Sequence, residues 1–395
     1  MSKIHHECEL ERHIVEQLRA AGWLVGVSAV YDRARALYPE DVTAWLQDSQ
    51  PEAWEKLLRL HAGSAAAAET ALLDRLVKTL ESAEGGTLGV LRRGFALAGA
   101  GQLAMSQALP EDARNETTAR RYQANRLRVV PQLGYSLEST ERIDLVFFIN
   151  GLPVATVELK TDFTQSVEAA MTQYRQDRPA KNGKTGRAEP LLSFKRGAIV
   201  HFAMSDSDIR MTTQLSGAAT SFLPFNRGND GAAGNPPGAD GAYPVAYLWE
   251  RVLQKDAWLR VFHRFVLLER KQVQDANGRT QFKEALIFPR FHQWEAVSAL
   301  VSAVRAEGPG QPYLIQHSAG SGKTHTISWT AHELIRIRRP DGEPDFHSVI
   351  VVTDRTVLDK QLQDAIAQIE HQTGVVRAID RETSSLPKSQ QLAEA

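Results

Sequence analysis

The sequence predicts an α/β protein in which a mixed β-sheet flanked by helices is followed by a stretch of parallel α/β character. Three observations predict it. Apolar residues recur at helical spacing in segments 7–21 and 64–82, the pattern changes to period two after Arg126, and beyond residue 280 strand-like apolar runs alternate with helix-like ones. With 395 residues, 43% hydrophobic and 24% charged, the chain has material for two or three globular domains.

Taken in order, Leu10, Ile14, Leu18 and Ala21 line one side of a first helix that Gly22 stops, with Glu11 and Glu16 off that stripe. Ser64 can cap the helical segment AAAAETALLDRLVKTLE. Trp23, Trp45 and Trp54 read as packing groups of this helical region. RLRVVPQL (126–133), RIDLVFFIN (142–150) and LPVATVELK (152–160) then read as strands, and Asn150-Gly151 supplies the positive φ of a tight hairpin turn. TQSVEAAMTQYRQD (164–177) reads as a helix and GAIVHFAMS (197–205) as a further strand.

Residues 227–244 hold five glycines and three prolines, which disfavours regular structure and predicts a mobile loop or linker. WERVLQKDAWLRVFHRFVLLE (249–269) reads as helical, and EALIFPRFHQWEAVSALVSAVRA (284–306) as a short segment leading into a helix. Strand YLIQH (313–317), a loop, helix 324–338, strand SVIVVT (348–353) and helix 358–370 complete the order. The expected domains are 1–226, a flexible segment 227–244, a helical connector 245–280 and a region of parallel α/β character, 281–395.

No apolar run approaches the roughly 18 residues of a membrane span. The N-terminus, MSKIHHECELERHIVEQ, lacks the layout of a secretory signal, and the lone Cys8 can form no internal disulfide, so a cytoplasmic location is expected. His5 and His6 beside Cys8 have no second Cys and His pair with which to complete a zinc site. The net charge of −1 neither demands nor excludes a polyanionic partner, but local charge says more. Arg114, Arg120, Arg121, Arg126 and Arg128 precede the hairpin, and Arg175, Arg178, Lys181, Lys184 and Arg187 follow it. Such clusters are commonly solvated faces; flanking one acidic constellation, they point toward phosphate contact.

That constellation is Asp144, Glu158 and Lys160. Residues two apart on a strand face the same way, so Glu158 and Lys160 share a side, and folding at Asn150-Gly151 sets residue 144 roughly opposite 157. Two carboxylates within one position of each other can share a cation. Charges that interrupt FFIN and VATVEL lie where charged groups are rarely buried unless paired or metal-bound. Oxygen ligands from Asp144 and Glu158 suit Mg2+, and Lys160 can orient a water or stabilise developing charge, a set matched to phosphodiester hydrolysis.

At Asp144 and Glu158-Leu159-Lys160 the chain resembles the PD-(D/E)xK nuclease superfamily. The "NGLPVATVELK" hairpin, with "ERHIVEQLRAAGW" (11–23) and "YDRARALYPEDV" (31–42), more closely resembles the N-terminal nuclease domain of the motor (R) subunit of Type I restriction enzymes. The resemblance implies a restriction-endonuclease-like mixed sheet, an additional acidic metal ligand at Glu11 with Glu16 as rival, and a DNA-positioning role for Tyr174. Related nucleases place Gln four residues before that tyrosine. Here Ala170 holds the position and Gln173 is adjacent.

A second constellation, HSAGSGKTHT (317–326), has the residues of a phosphate-binding loop. Ser318, Ala319, Gly320, Ser321 and Gly322 can curl backbone N–H groups round a phosphate, Lys323 can reach its outer oxygens, and Thr324 can ligate Mg2+. His317 replaces the first glycine of the strict pattern, a departure that resembles superfamily 2 helicases and the Type I motor subunits. In them FPRFHQWEAV (288–297) would read adenine through Gln293, with Arg290 beside it, and VIVVTDRTVLDKQL (349–362) would bring Arg355 to the DNA backbone.

The resemblance implies a partial RecA-like lobe, Mg2+ and ATP as cofactors, double-stranded DNA as substrate, and modification (methyltransferase) and specificity subunits as partners. DNA contact is expected of Arg126, Arg128, Arg175, Tyr174 and Arg355. After Thr324 no strand ends in an Asp-Glu pair, so a fragment or truncated gene product is expected, unable alone to translocate DNA. A repair-type helicase-nuclease and an inert DNA-binding module are the alternatives.

Overall fold

The hairpin forms about Asn150 (φ 49°) and Gly151 (φ 81°), both in the left-handed region that a two-residue turn of this hand requires. Asn150 is fully buried, and its side chain accepts from Arg126 N at 2.7 Å and donates to the Met105 carbonyl at 2.9 Å. A Cβ on Gly151 would stand 2.5 Å from the Tyr38 carbonyl, so glycine is required there twice over.

The computed structural model describes residues 3–111, 114–162, 165–238, 241–274, 280–339, 341–353, 356–369, 379 and 390–391. The chain divides into two units, Met1–Val266 with Arg270–His292, and Leu267–Glu269 with Gln293–Ala395. The elements run α1 (Lys3–Ala20), β1 (Leu24–Val25), α2 (Pro39–Ser49), α3 (Pro51–Leu60), α4 (Ala65–Glu81), α5 (Thr87–Arg93), β2 (Phe95–Leu97), β3 (Gly101–Leu103) and α6 (Glu116–Ala124). There follow β4 (Leu127–Gly134), β5 (Arg142–Ile149), β6 (Leu152–Leu159), α7 (Val167–Gln176), β7 (Val200–Met204), β8 (Ile209–Thr212) and β9 (Leu223–Pro224). Then come α8 (Lys255–Arg260), β10 (Leu267–Gln274), β11 (Thr280–Ile287), α9 (Phe291–Glu307), α10 (Lys323–Leu334) and α11 (Thr356–Ile369).

The main sheet has seven strands in the order β1-β4-β5-β6-β7-β8-β9. The β1–β4 and β6–β7 pairs are parallel and the others antiparallel, so the sheet is mixed and helices flank it, as expected. Both faces are covered. Phe147 meets Trp23 at 5.5 Å between ring centroids, and Val146, Phe148, Ala170 and Tyr174 belong to a separate core cluster with Tyr31 and Tyr38. All eight residues of β6 are buried as a result. Leu10, Ile14 and Leu18 of α1, and Trp23, Trp45 and Trp54, are core residues. Ser64 caps α4 through the Ala67 N–H.

Three expectations need correction, and a fourth is narrowed. Residues 266–274 are not helical: π-helical turns at Leu248–Val252 and Val261–Phe265 bracket α8, after which Val266 turns extended and β10 begins. The Arg92 guanidinium takes the Phe262 carbonyl at 2.7 Å, and the Val266 carbonyl too, supplying the partner a continuing helix would otherwise provide. The described part of 227–244 lies inside the first unit and does not link the two. It is closed by Gly228 N to Gly234 O (2.9 Å) and pinned by Asn235 to the Ser207 carbonyl (2.8 Å).

The remaining two corrections are the strands expected at 313–317 and 348–353, neither of which forms. Leu314 is 91% exposed and Val352 85% exposed. Among the described residues no sheet includes either segment, and a strand exists only through hydrogen bonds to a neighbour. No helix among the described residues is long and apolar enough to cross a membrane.

Candidate functional site

Counting back from the turn sets residue 144 opposite 157, but the observed register is Leu145 with Val157 and Val146 with Thr156, after a one-residue shift between Phe147 and Phe148. That bulge carries Asp144 opposite Glu158 itself. On the other side, Pro131 pairs with Leu145 and Leu133 with Ile143, which sets Gln132 beside Asp144. Gln132, Asp144 and Glu158 therefore form one row across β4, β5 and β6. Gln132 adopts φ 50°, and its amide donates to Asp144 Oδ1 at 3.2 Å and to Glu11 Oε2 at 2.6 Å.

Glu158 is fully buried. Its Oε1 receives the Arg178 Nε at 2.6 Å, while its Oε2 is buried with no hydrogen-bond partner. Burial pushes the carboxyl well above the usual carboxylate range and the neighbouring Asp144 charge adds to this, against the pull of Arg178 and then Lys160. Arg178 is itself 2% exposed and anchored on Glu141 and the Arg142 carbonyl. Asp144 Oδ2 is held by the Leu159 N–H at 2.7 Å. Lys160 Nζ donates to the Leu159 carbonyl at 2.8 Å and stands 3.7 Å from Glu7.

Glu11 reaches this row through Gln132, and burial raises its pKa against the Gln132 hydrogen bond. Glu16 points elsewhere, pairing with Arg12 at 3.9 Å with its side chain 61% exposed. Among the described residues no group of three or more His, Cys, Asp and Glu side chains could hold a metal ion. The Asp144–Glu158 pair is a two-carboxylate set, and the unpartnered Glu158 Oε2 fits a hard cation that keeps several waters.

The arginines expected on DNA are engaged within the protein. Arg128 Nε meets the fully buried Asp41 at 2.6 Å and its Nη2 meets Glu40 at 2.6 Å, while Arg126 Nε reaches the same Asp41 at 2.7 Å. Arg175 donates to the Thr220 carbonyl at 3.1 Å and lies over the Phe222 ring. Tyr174 is fully buried, its hydroxyl 2.7 Å from Thr156, whose other partner is His201 at 2.8 Å. Arg355 lies outside the described residues. Gln132 and the pairing of Arg178 with Glu158 escaped the sequence reading. The available signals were the Pro-Gln step that interrupts RLRVVPQL and the requirement that a buried glutamate have a counter-charge.

In the second unit, Gly320 (φ 74°) and Gly322 (φ 83°) shape the loop, and α10 starts at Lys323. Lys323 Nζ donates to the carbonyls of His317 (3.1 Å) and Ser318 (2.8 Å), folding back over the loop. Gln293 donates to the Gly322 carbonyl at 2.9 Å. Ser318 and Ala319 are exposed, Ser321 is buried and Thr324 half-buried. Arg290 belongs to the first unit.

Residues 292–392 match the family model of the SWI2/SNF2 ATPase. The chain is 28% identical over 244 residues to the Type I restriction enzyme HindI endonuclease subunit of Haemophilus influenzae, covering 60% of this chain and 21% of that protein. It thus spans about a fifth of that relative's length. The family model for the N terminus of the Type I restriction enzyme R protein matches residues 7–220, a span of more than half the chain that includes Glu11, Gln132, the two facing carboxylates, Lys160 and Arg178. The chain that builds this row of side chains belongs to the Type I restriction enzyme R protein N-terminus family.

Proposed function

We propose that Asp144 and Glu158 hold Mg2+ and that, with Lys160, they cleave the phosphodiester backbone of double-stranded DNA. The observation that carries this reading is the buried, unpartnered Oε2 of Glu158, a residue that stands opposite Asp144 across β5 and β6. Leaving a carboxylate oxygen buried without a partner costs about 1–3 kcal/mol or more, which a cation would offset. When bound, the ion would polarise the scissile phosphate and acidify a water. Arg178 fixes Glu158 in one orientation, the Leu159 N–H fixes Asp144, and Gln132 ties Asp144 to Glu11 of α1. Lys160, standing on the Leu159 carbonyl, orients the attacking water or meets the developing negative charge.

On this reading residues 1–226, within the first unit, form a PD-(D/E)xK nuclease domain, and 281–395 begins a RecA-like ATPase lobe. Glycines 320 and 322, Lys323 and Thr324 would cradle the phosphates of ATP and its Mg2+, with Gln293 of α9 bonded to the Gly322 carbonyl of that loop. In a complete enzyme the chain would act with modification and specificity subunits, and ATP-driven translocation would precede cutting. Asp144→Ala or Glu158→Ala in such a reconstituted enzyme should lower cleavage at least about 100-fold while ATP turnover persists. Undiminished nicking by either variant overturns the assignment.

A further inference from the structure

Away from the carboxylate row, α5, β3, α6 and the turn at Val261–Phe265 enclose a cleft of about 340 Å3. Arg92, Arg93, Gln102, Ser106, Arg121 and His263 are among its lining residues, and no Asp or Glu lines it. The arginines come from two helices. Arg92 and Arg93 are the last two residues of α5, and Arg92 is locked there by the Phe262 and Val266 carbonyls. Arg93 donates to the Glu84 carbonyl at 3.1 Å. Arg121 comes from the last turn of α6, and its Nε is buried with no hydrogen-bond partner.

None of the three arginines has an ion-pair partner among the described residues. Elsewhere in the first unit a buried arginine is matched by a carboxylate, as Arg128 is by Asp41 and Arg178 by Glu158. Here like charges are left facing one another. Burial, then Arg264 and Arg93, press Arg92 down to about 9, and burial followed by Arg120 lowers Arg121. A guanidinium keeps its proton in proteins, so the pressure is relieved by bringing in an anion. Ser106 Oγ donates to the Leu91 carbonyl at 2.8 Å, so at its 2.8 Å contact with His263 Nε2 the hydroxyl oxygen accepts and the ring nitrogen donates.

We infer that this cleft binds a phosphate group, with Arg121 and Arg93 as its principal donors and Arg92 and His263 supplying field and shape. Planar guanidinium forks suit tetrahedral oxyanions, and the volume admits a phosphate ester with part of its sugar. The group could be a backbone phosphodiester or a free phosphomonoester, which present the same oxygens to the arginines. The inference does not depend on the nuclease reading, because its measurement is binding and involves no cleavage.

The test is a titration of inorganic phosphate, followed by phosphorus NMR, into the Lys323→Ala protein, where the glycine-loop lysine can no longer contribute. Saturable binding is expected. Adding Arg121→Gln should weaken it by about tenfold or more, and Arg93→Gln, on an exposed side chain, should do the same if the first variant folds poorly. Displacement by covalently closed duplex DNA assigns the site to the backbone. Displacement only by a nucleoside monophosphate assigns it to a free ester. Absence of saturable binding, or equal affinity in folded arginine variants, overturns the inference.

Discussion

The centre of the seven-stranded sheet and the glycine loop of the second unit each frame a candidate ligand site, and they are supported in different ways. In the first, β6 is buried over its whole length and every polar side chain near Asp144 is tied to something: Glu158 to Arg178, Asp144 to Leu159, Glu11 to Gln132. In the second, the apolar runs at 313–317 and 348–353 stay irregular, with Leu314 and Val352 largely in solvent, and Lys323 occupies the carbonyls of its own loop. The difference teaches how far local coding reaches. An antiparallel hairpin is specified by its turn and its alternation, whereas parallel strands acquire hydrogen bonds only from segments distant in sequence.

The sheet's dependence on paired charge can be broken most severely at Asp41. It is fully buried between Arg126 and Arg128, so Asp41→Ala strands the Arg126 guanidinium, leaves Arg128 only Glu40, and should cost about 3–5 kcal/mol in urea unfolding of the first unit. A loss within experimental error would show that the cluster is not structural and would return both arginines to the DNA-binding role expected from sequence.

A smaller effect is expected at His201, buried against Thr156 and Tyr174, where burial lowers the pKa to about 3. The folded protein then refuses a proton that the unfolded chain accepts near pH 6.5. The stabilisation from the neutral ring is complete above that pH and is lost as the pH falls towards 3, by on the order of a few kcal/mol. Stability measured across this window should therefore fall less steeply in His201→Gln than in the native protein. Parallel slopes refute the assignment.

The smallest expected effect sharpens the contrast from the other side. Lys323 touches only carbonyls of its own loop, so Lys323→Ala should leave the unfolding of the first unit unchanged while removing ATP turnover from a complete assembly. A shift in the first unit's transition would mean that the loop lysine supports more than phosphate.

Much of the first unit was legible. Alternation in RIDLVFFIN and LPVATVELK and the Asn150-Gly151 turn located three facing side chains to within one position, and the heptad-like stripe of Leu10, Ile14 and Leu18 located α1. The bulge after Phe147 escaped, because a one-residue shift in pairing leaves no mark on periodicity. Short helices such as α2 and α3, which follow one another at Pro39 and Pro51, also went unread, since each spans few turns and is stabilised mainly by packing. The basic residues around the hairpin looked like a polyanion surface because sequence shows charge without its partner. Tertiary contacts gave Arg126, Arg128 and Arg178 carboxylates to hold and, among the described residues, left Arg93 and Arg121 without one.

By itself the sequence determined which segments alternate, where the chain turns back, and which residue types stand at the turn, because strand periodicity and positive φ are properties of a few adjacent residues. The tertiary structure alone decided the company each charge keeps: an arginine on one oxygen of Glu158 and no hydrogen bond on the other, a glutamine between Glu11 and Asp144, and, among the described residues, no neighbouring strand for the runs beside the glycine loop. Charge pairing and parallel strand pairing both join residues far apart in the chain, and no local pattern records which remote partner will arrive.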